Sequence, residues 1–121
     1  MIVGRISGEN LEARVPLELV NKGKVIKVEF LVDTGFSGHL AVSESAVETL
    51  NLEYQELQRG ILADGKKRLF DTVDLCVYWN EQPIILRAQV LGEPLIGTRM
   101  LNGHDIHADW KNGGEIRLTK N

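Results

Sequence analysis

Asp33 is the residue whose setting most calls for a chemical explanation. It lies in "FLVDTGFSGHL" (30–40), directly after the apolar run Phe30-Leu31-Val32 and ahead of glycines at 35 and 38. A charge at the mouth of a core strand is costly to desolvate. Asp-Thr-Gly also suits a tight turn in which the carboxylate accepts local backbone hydrogen bonds, so a purely structural turn is the plain alternative. Other chemistry-bearing residues read less well. His104 and His107, with Asp105 and Asp109 nearby, have the types of a metal site. However, "HDIHADW" alternates as a strand, which puts the two histidines on opposite faces. They read as surface histidines, and no metal or cofactor is expected. Ser37 beside Gly38-His39 lacks the Gly-x-Ser-x-Gly spacing of a nucleophile elbow. Cys76, the single cysteine, cannot form an internal disulfide and sits in Leu75-Cys76-Val77, where a buried thiol acts as a small hydrophobe.

The chain that carries these residues has 121 residues, 43% hydrophobic and 26% charged, which fits one folded domain spanning 1–121. Formal net charge is −3 without a long block of one sign, which argues against nucleic acid as a partner. The richest basic cluster, Lys66-Lys67-Arg68, reads as a solvated strand end. "MIVGRISGEN" carries a glycine and an arginine where a signal peptide needs an unbroken apolar segment. No run approaches the ~18 apolar residues of a membrane span. A cytoplasmic location with no membrane partner is the expectation.

Most of the chain reads as short strands. "VPLELV" (15–20) and "VIKVEFLV" (25–32) flank the turn Asn21-Lys22-Gly23-Lys24, and Val28, Phe30 and Val32 share one face of the second run. "HLAV" (39–42) is a further strand. "SESAVETLNL" is the clearest helix, capped by Ser43 or Ser45, with Ser45 and Glu48 fitting a capping box and a stop near Asn51. "LQRGIL" (57–62) and "RLFDTVDLCVYW" (68–79) form a long hairpin around Ala63-Asp64-Gly65, whose Asp-Gly pair supplies the positive φ angles of a tight turn. Asn80-Glu81-Gln82-Pro83 turns the chain into "IILRAQVL" (84–91), and "PLIG" (94–97) is a short strand ending in glycine. "TRML" (98–101) gives one helical turn, and "DIHADW" and "EIRLT" a last hairpin. Strands at this spacing predict an all-β fold, a small closed barrel with one or two short helices. Trp79 and Trp110 read as core or interface aromatics.

The combination of "LVDTGFSG", "ILADGKK", "LIGTRML" and "IHADWKNGGEIRL" resembles the retropepsin-like (retroviral-type) aspartic peptidases, specifically the single-domain non-viral members, over roughly Val15 to Leu118. The resemblance implies an acid-protease-type barrel and gives the residues roles. Asp33 would be the catalytic aspartate. Thr34 would brace two active-site loops against each other with its hydroxyl. Gly35 would let the backbone turn beneath the carboxylate and offer it an N–H. Ala63, Asp64 and Gly65 would belong to a flap over the substrate, and Ile96 and Gly97 would pack behind the active-site loop. A peptide or protein substrate would lie between flap and floor as an added strand.

Such enzymes work with two carboxylates sharing one proton, one activating a water and the other polarising the scissile carbonyl. The chain has no second Asp-Thr-Gly, and Asp71-Thr72-Val73 looks like a solvent-facing strand position. The resemblance therefore implies a homodimer in which each copy supplies one Asp33 across a two-fold axis. Phe36 departs from the Ala or Ser usual after the motif, removing a hydroxyl partner and leaving open a narrow specificity. The expected function is aspartic endopeptidase. The alternatives are a non-catalytic dimeric peptide-binding module on the same fold, and an unrelated small barrel serving only in assembly.

Overall fold

Inward-facing apolar residues alternate with outward polar ones along the long strands, and that pattern builds the barrel. The computed structural model describes residues 1–61 and 64–121. In β2 (Glu12–Asn21) Ala13, Val15, Leu17 and Leu19 are buried while Arg14, Pro16 and Glu18 face out. In β7 (Thr72–Trp79) Val73, Leu75, Val77 and Trp79 are buried and Asp74 and Tyr78 face out. β3 (Lys24–Val32) and β8 (Gln82–Val90) follow the same rule around Phe30 and Ala88. Two short strands complete the wall, β4 (Leu40–Val42) and β9 (Leu95–Ile96).

Six strands close in the order β2-β3-β9-β4-β8-β7, and β7 returns to β2 through Leu19↔Val77 and Val20↔Cys76. The β3–β9 and β4–β8 pairs are parallel, so β9 is wedged between two strands that lie far from it in sequence. β1 (Ile2–Ser7), β10 (His104–Ala108) and β11 (Glu115–Lys120) extend the sheet outward from β2 in the order β10-β11-β1-β2. The all-β barrel is as the strand spacing predicts.

The helix α1 (Glu44–Leu50) begins at Ser43, whose hydroxyl accepts from the Ala46 amide at 3.3 Å. Ser45 lies inside the helix, so the Ser45–Glu48 capping box does not form. Asn51 ends the helix in the left-handed region at φ 52°, and Val47 and Leu50 face the core. A second helical turn, α2 (Thr98–Leu101), buries Met100 and Leu101.

Several details differ from the sequence reading. β1 is an additional strand. Ile2, Gly4 and Ile6 alternate inward, and at Gly4 a Cβ would lie 2.0 Å from the Arg14 carbonyl oxygen, so close crossing of β2 interrupts the apolar alternation that marks the strand. The long hairpin is broken at Asp71. β5 (Gln58–Ile61) and β6 (Lys67–Phe70) form a separate two-stranded ribbon, whereas β7 joins the barrel. The break is built around Thr72, which is fully buried and donates its hydroxyl to the Glu56 carbonyl, while its own carbonyl accepts from the Gln55 amide at 2.7 Å. Cys76 is half-buried on the outer face rather than in the core. His104 is half-buried against Trp79, with ring centroids 5.2 Å apart. Its Nδ1 meets the Asn102 carbonyl at 3.0 Å and its Nε2 the Asn80 side-chain amide at 2.9 Å. Trp79 is a core residue, and Trp110 is exposed.

Candidate active site

Parallel pairing with β9 fixes where β3 ends. Leu31 and Val32 pair with Leu95 and Ile96, the Leu31 amide donates to the Pro94 carbonyl at 3.0 Å, and the Asp33 amide donates to the Ile96 carbonyl at 3.0 Å. Asp33, the first residue past β3, is thus still held to the sheet by its amide, and the chain turns immediately after it. The Asp33 carbonyl accepts from the Phe36 amide at 3.1 Å, and its Oδ1 accepts from the Gly35 amide at 2.9 Å. A Cβ on Gly35 would lie 3.2 Å from that oxygen, so glycine leaves the carboxylate room. Asp33 is half-buried, with Thr34 and Gly35 exposed beside it.

The loop 33–39 is then bound to the start of α2. The carbonyls of Phe36 and Gly38 accept from the Thr98 and Arg99 amides at 2.9 and 3.2 Å, and the His39 carbonyl accepts from Gly97 at 2.8 Å. Helix N-termini leave amides without internal partners; with no side-chain cap on α2, loop carbonyls take that role. Gly97 is required by this contact. A Cβ there would lie 2.2 Å from the Gly38 carbonyl oxygen and 2.7 Å from both the Phe36 ring and its carbonyl oxygen. The Phe36 ring also rests on Gly38, where a Cβ would come within 2.6 Å of it. Two bare glycines therefore seat the Phe36 ring. Ile96, fully buried, and Gly97 pack behind the loop.

A groove of about 330 Å³ runs between this loop and β5. Residues Phe36–Leu40 form one wall, Gln58–Ile61 the other, and Arg87, Gln89 and Arg99 complete it. Asp33 itself opens the loop that forms the first wall and does not line the groove. The ribbon is tied to the barrel by Gln89, whose amide donates to the Gln58 side chain at 3.0 Å, and by the Thr72–Glu56 contact. The Phe70 ring lies over Gly60, where a Cβ would come within 2.5 Å of it. At its tip Asp64 Oδ1 accepts from the Lys66 amide at 2.9 Å, and Gly65 takes φ +81°. Ala63, the third expected flap residue, lies outside the described residues.

The polar groups of the groove are what the sequence reading missed. Arg87 and Gln89 follow the outward alternation of β8, and Arg59 lies on the mostly exposed β5, but neither pattern tells that the two strands face one space. Arg87 donates to Asp74 at 3.1 and 3.5 Å, and these hydrogen bonds with the attraction of the carboxylate raise the guanidinium further above its ordinary pKa. A second concavity, about 470 Å³ on the outer face of β1–β3, is lined by Arg5, Arg14 and Glu29 among small or apolar neighbours; Arg14 is already paired with Glu12 and Glu93, and Arg5 with Glu115. Among the described residues no cluster of His, Cys, Asp or Glu could hold a metal ion, and no helix is long and apolar enough to cross a membrane. No protein-family model, curated protein or solved structure matches the chain.

Proposed function

We propose that the chain is an aspartic endopeptidase of the retropepsin-like kind, active as a homodimer in which each copy contributes Asp33. The observation that carries this reading is the Asp33–Gly35 arrangement. A half-buried carboxylate leaves a sheet-held strand, accepts one backbone amide, and sits on a loop locked against Ile96, Gly97 and α2. A groove walled by a hairpin ribbon adjoins that loop.

In the proposed mechanism two Asp33 carboxyls meet across the two-fold axis and share one proton. Like charges that close do not both stay ionised. The ionised member takes a proton from water as the water oxygen bonds to the scissile carbonyl carbon. The protonated member donates to the carbonyl oxygen, and a tetrahedral diol forms. Collapse breaks the C–N bond as the protonated carboxyl passes its proton to the leaving amine and the ionised one takes a proton from a diol hydroxyl, which restores the pair sharing one proton. Thr34, exposed beside the carboxylate, would meet the partner's loop. Asp64 and Gly65 at the ribbon tip would cover the bound peptide.

The test is cleavage of a random peptide library at mildly acidic pH by wild type and by Asp33→Asn. Cleavage by wild type alone, insensitive to a chelator and fading toward alkaline pH, supports the reading. Peptide binding without cleavage in both proteins would leave the non-catalytic binding module instead.

A further inference from the structure

We propose that the groove between loop 36–40 and β5 selects peptide segments that carry Asp or Glu, with Arg59 and Arg99 as the groups that read them. This rests on the peptidase reading for its cleavage arm. The charged side chains lining the groove are Arg59, Arg87 and Arg99, and none is acidic. The whole chain is net −3, so this concentration of positive charge runs against the overall balance. Arg87 is already bound to Asp74. Among the described residues, Arg59 and Arg99 have no ion pair or side-chain hydrogen bond, which leaves two guanidiniums for a ligand. The positive surface continues onto the ribbon, where Arg59, Lys67 and Arg68 border a smaller concavity of about 230 Å³.

The physical case is one of division of labour. A peptide added as a strand gains main-chain hydrogen bonds whatever its sequence, so side-chain subsites must supply selectivity. Guanidiniums match carboxylates with paired, planar hydrogen bonds, and charge-assisted bonds of that kind are the strong ones. A cleft lined by one sign of charge concentrates ligands of the opposite sign and speeds their arrival. Nucleic acid is the poorer fit, because the chain is acidic overall, with a pI near 5.6, and the cluster is confined to one small groove.

The proposal also gives a pH signature. Guanidiniums stay charged throughout, but a substrate carboxylate titrates near pH 4. Because His39 lines the same groove and Asp74 holds Arg87, the comparison is made in a His39→Gln background, where preference for Glu over Gln should be full at about pH 6 and fade below about pH 4.

The experiment uses the full-length protein. Cleavage sites from a random peptide library give a consensus, and matched peptides with Glu or Gln at the enriched position give a KM ratio. We expect Asp or Glu to be enriched near the scissile bond and the Gln peptide to have about tenfold higher KM. The ratio should collapse toward one in Arg59→Gln/Arg99→Gln, with circular dichroism checking the fold, and invert toward Lys-containing peptides in Arg59→Glu/Arg99→Glu. No acidic enrichment, or a ratio unchanged in the double variant, would overturn the proposal. If no peptide is cleaved, the peptidase reading fails separately, and binding decides this one. A fluorescein-labelled Glu-rich peptide should bind more tightly than its Gln counterpart, and the double variant should lose the difference. Equal binding, or tighter binding of a single-stranded oligonucleotide than of the Glu-rich peptide, would refute it.

Discussion

Gly97 lies so close to Phe36 that a Cβ would sit 2.7 Å from both the ring and the carbonyl oxygen, and 2.2 Å from the Gly38 carbonyl. The close approach lets loop 33–39 cap α2, and that cap fixes the strand end that presents Asp33. Gly97→Ala should cost about 3 kcal/mol, because backbone must move. Gly38→Ala meets only the Phe36 ring, so it should cost less. Urea unfolding in a double-mutant cycle separates the two. Phe36→Ala should relieve most of the Gly38→Ala penalty and little of the Gly97→Ala penalty.

Asp33→Asn should abolish cleavage and leave the fold intact, because Asn is nearly isosteric and keeps an oxygen for the Gly35 amide. It should also poison wild type. In an equal mixture with free subunit exchange, about a quarter of dimers carry two aspartates by random pairing. Activity per wild-type chain should fall to about half. Full activity after confirmed exchange would exclude a site shared between chains, even with Asp33 essential.

Thr72→Val should loosen the ribbon. The buried hydroxyl donates to the Glu56 carbonyl at the point where β6 gives way to β7, and Val keeps the shape but removes the donor. Leaving that carbonyl unpaired should cost about 1–2 kcal/mol. Hydrogen exchange across residues 55–61 should rise more than in β2 or β8. An unchanged exchange pattern would mean that the ribbon is held by other contacts.

Glu81→Gly should raise stability. The β7–β8 turn holds Asn80 at φ 52° and Glu81 at φ 65°, two successive left-handed residues of the type I′ kind. A non-glycine residue there costs about 1–2 kcal/mol, and glycine removes that cost while adding freedom to the unfolded chain. The expected net gain is about 0.5 kcal/mol, seen as a higher urea midpoint with an unchanged slope.

Local periodicity and turn chemistry determined most of the long strands, α1, the turn at Lys22-Gly23 and the place of Asp33 at a strand mouth, whereas the turn expected over Asn80-Glu81-Gln82-Pro83 is only two residues long, with Gln82 and Pro83 already in β8. Each depends on residues within a few positions of one another, so each is legible along the chain. Gly4 shows the limit, because a glycine interrupts the inward alternation of Ile2 and Ile6 in β1 where another backbone lies against it. Only the tertiary structure decided that β9 inserts beside β3 and pins the Asp33 amide, that β7 leaves the ribbon at Thr72 to close on β2, and that Arg59, Arg87 and Arg99 border one groove. Those relationships join residues far apart in sequence, and no local pattern encodes them. They are set by which strand pairings close the barrel over a shared core.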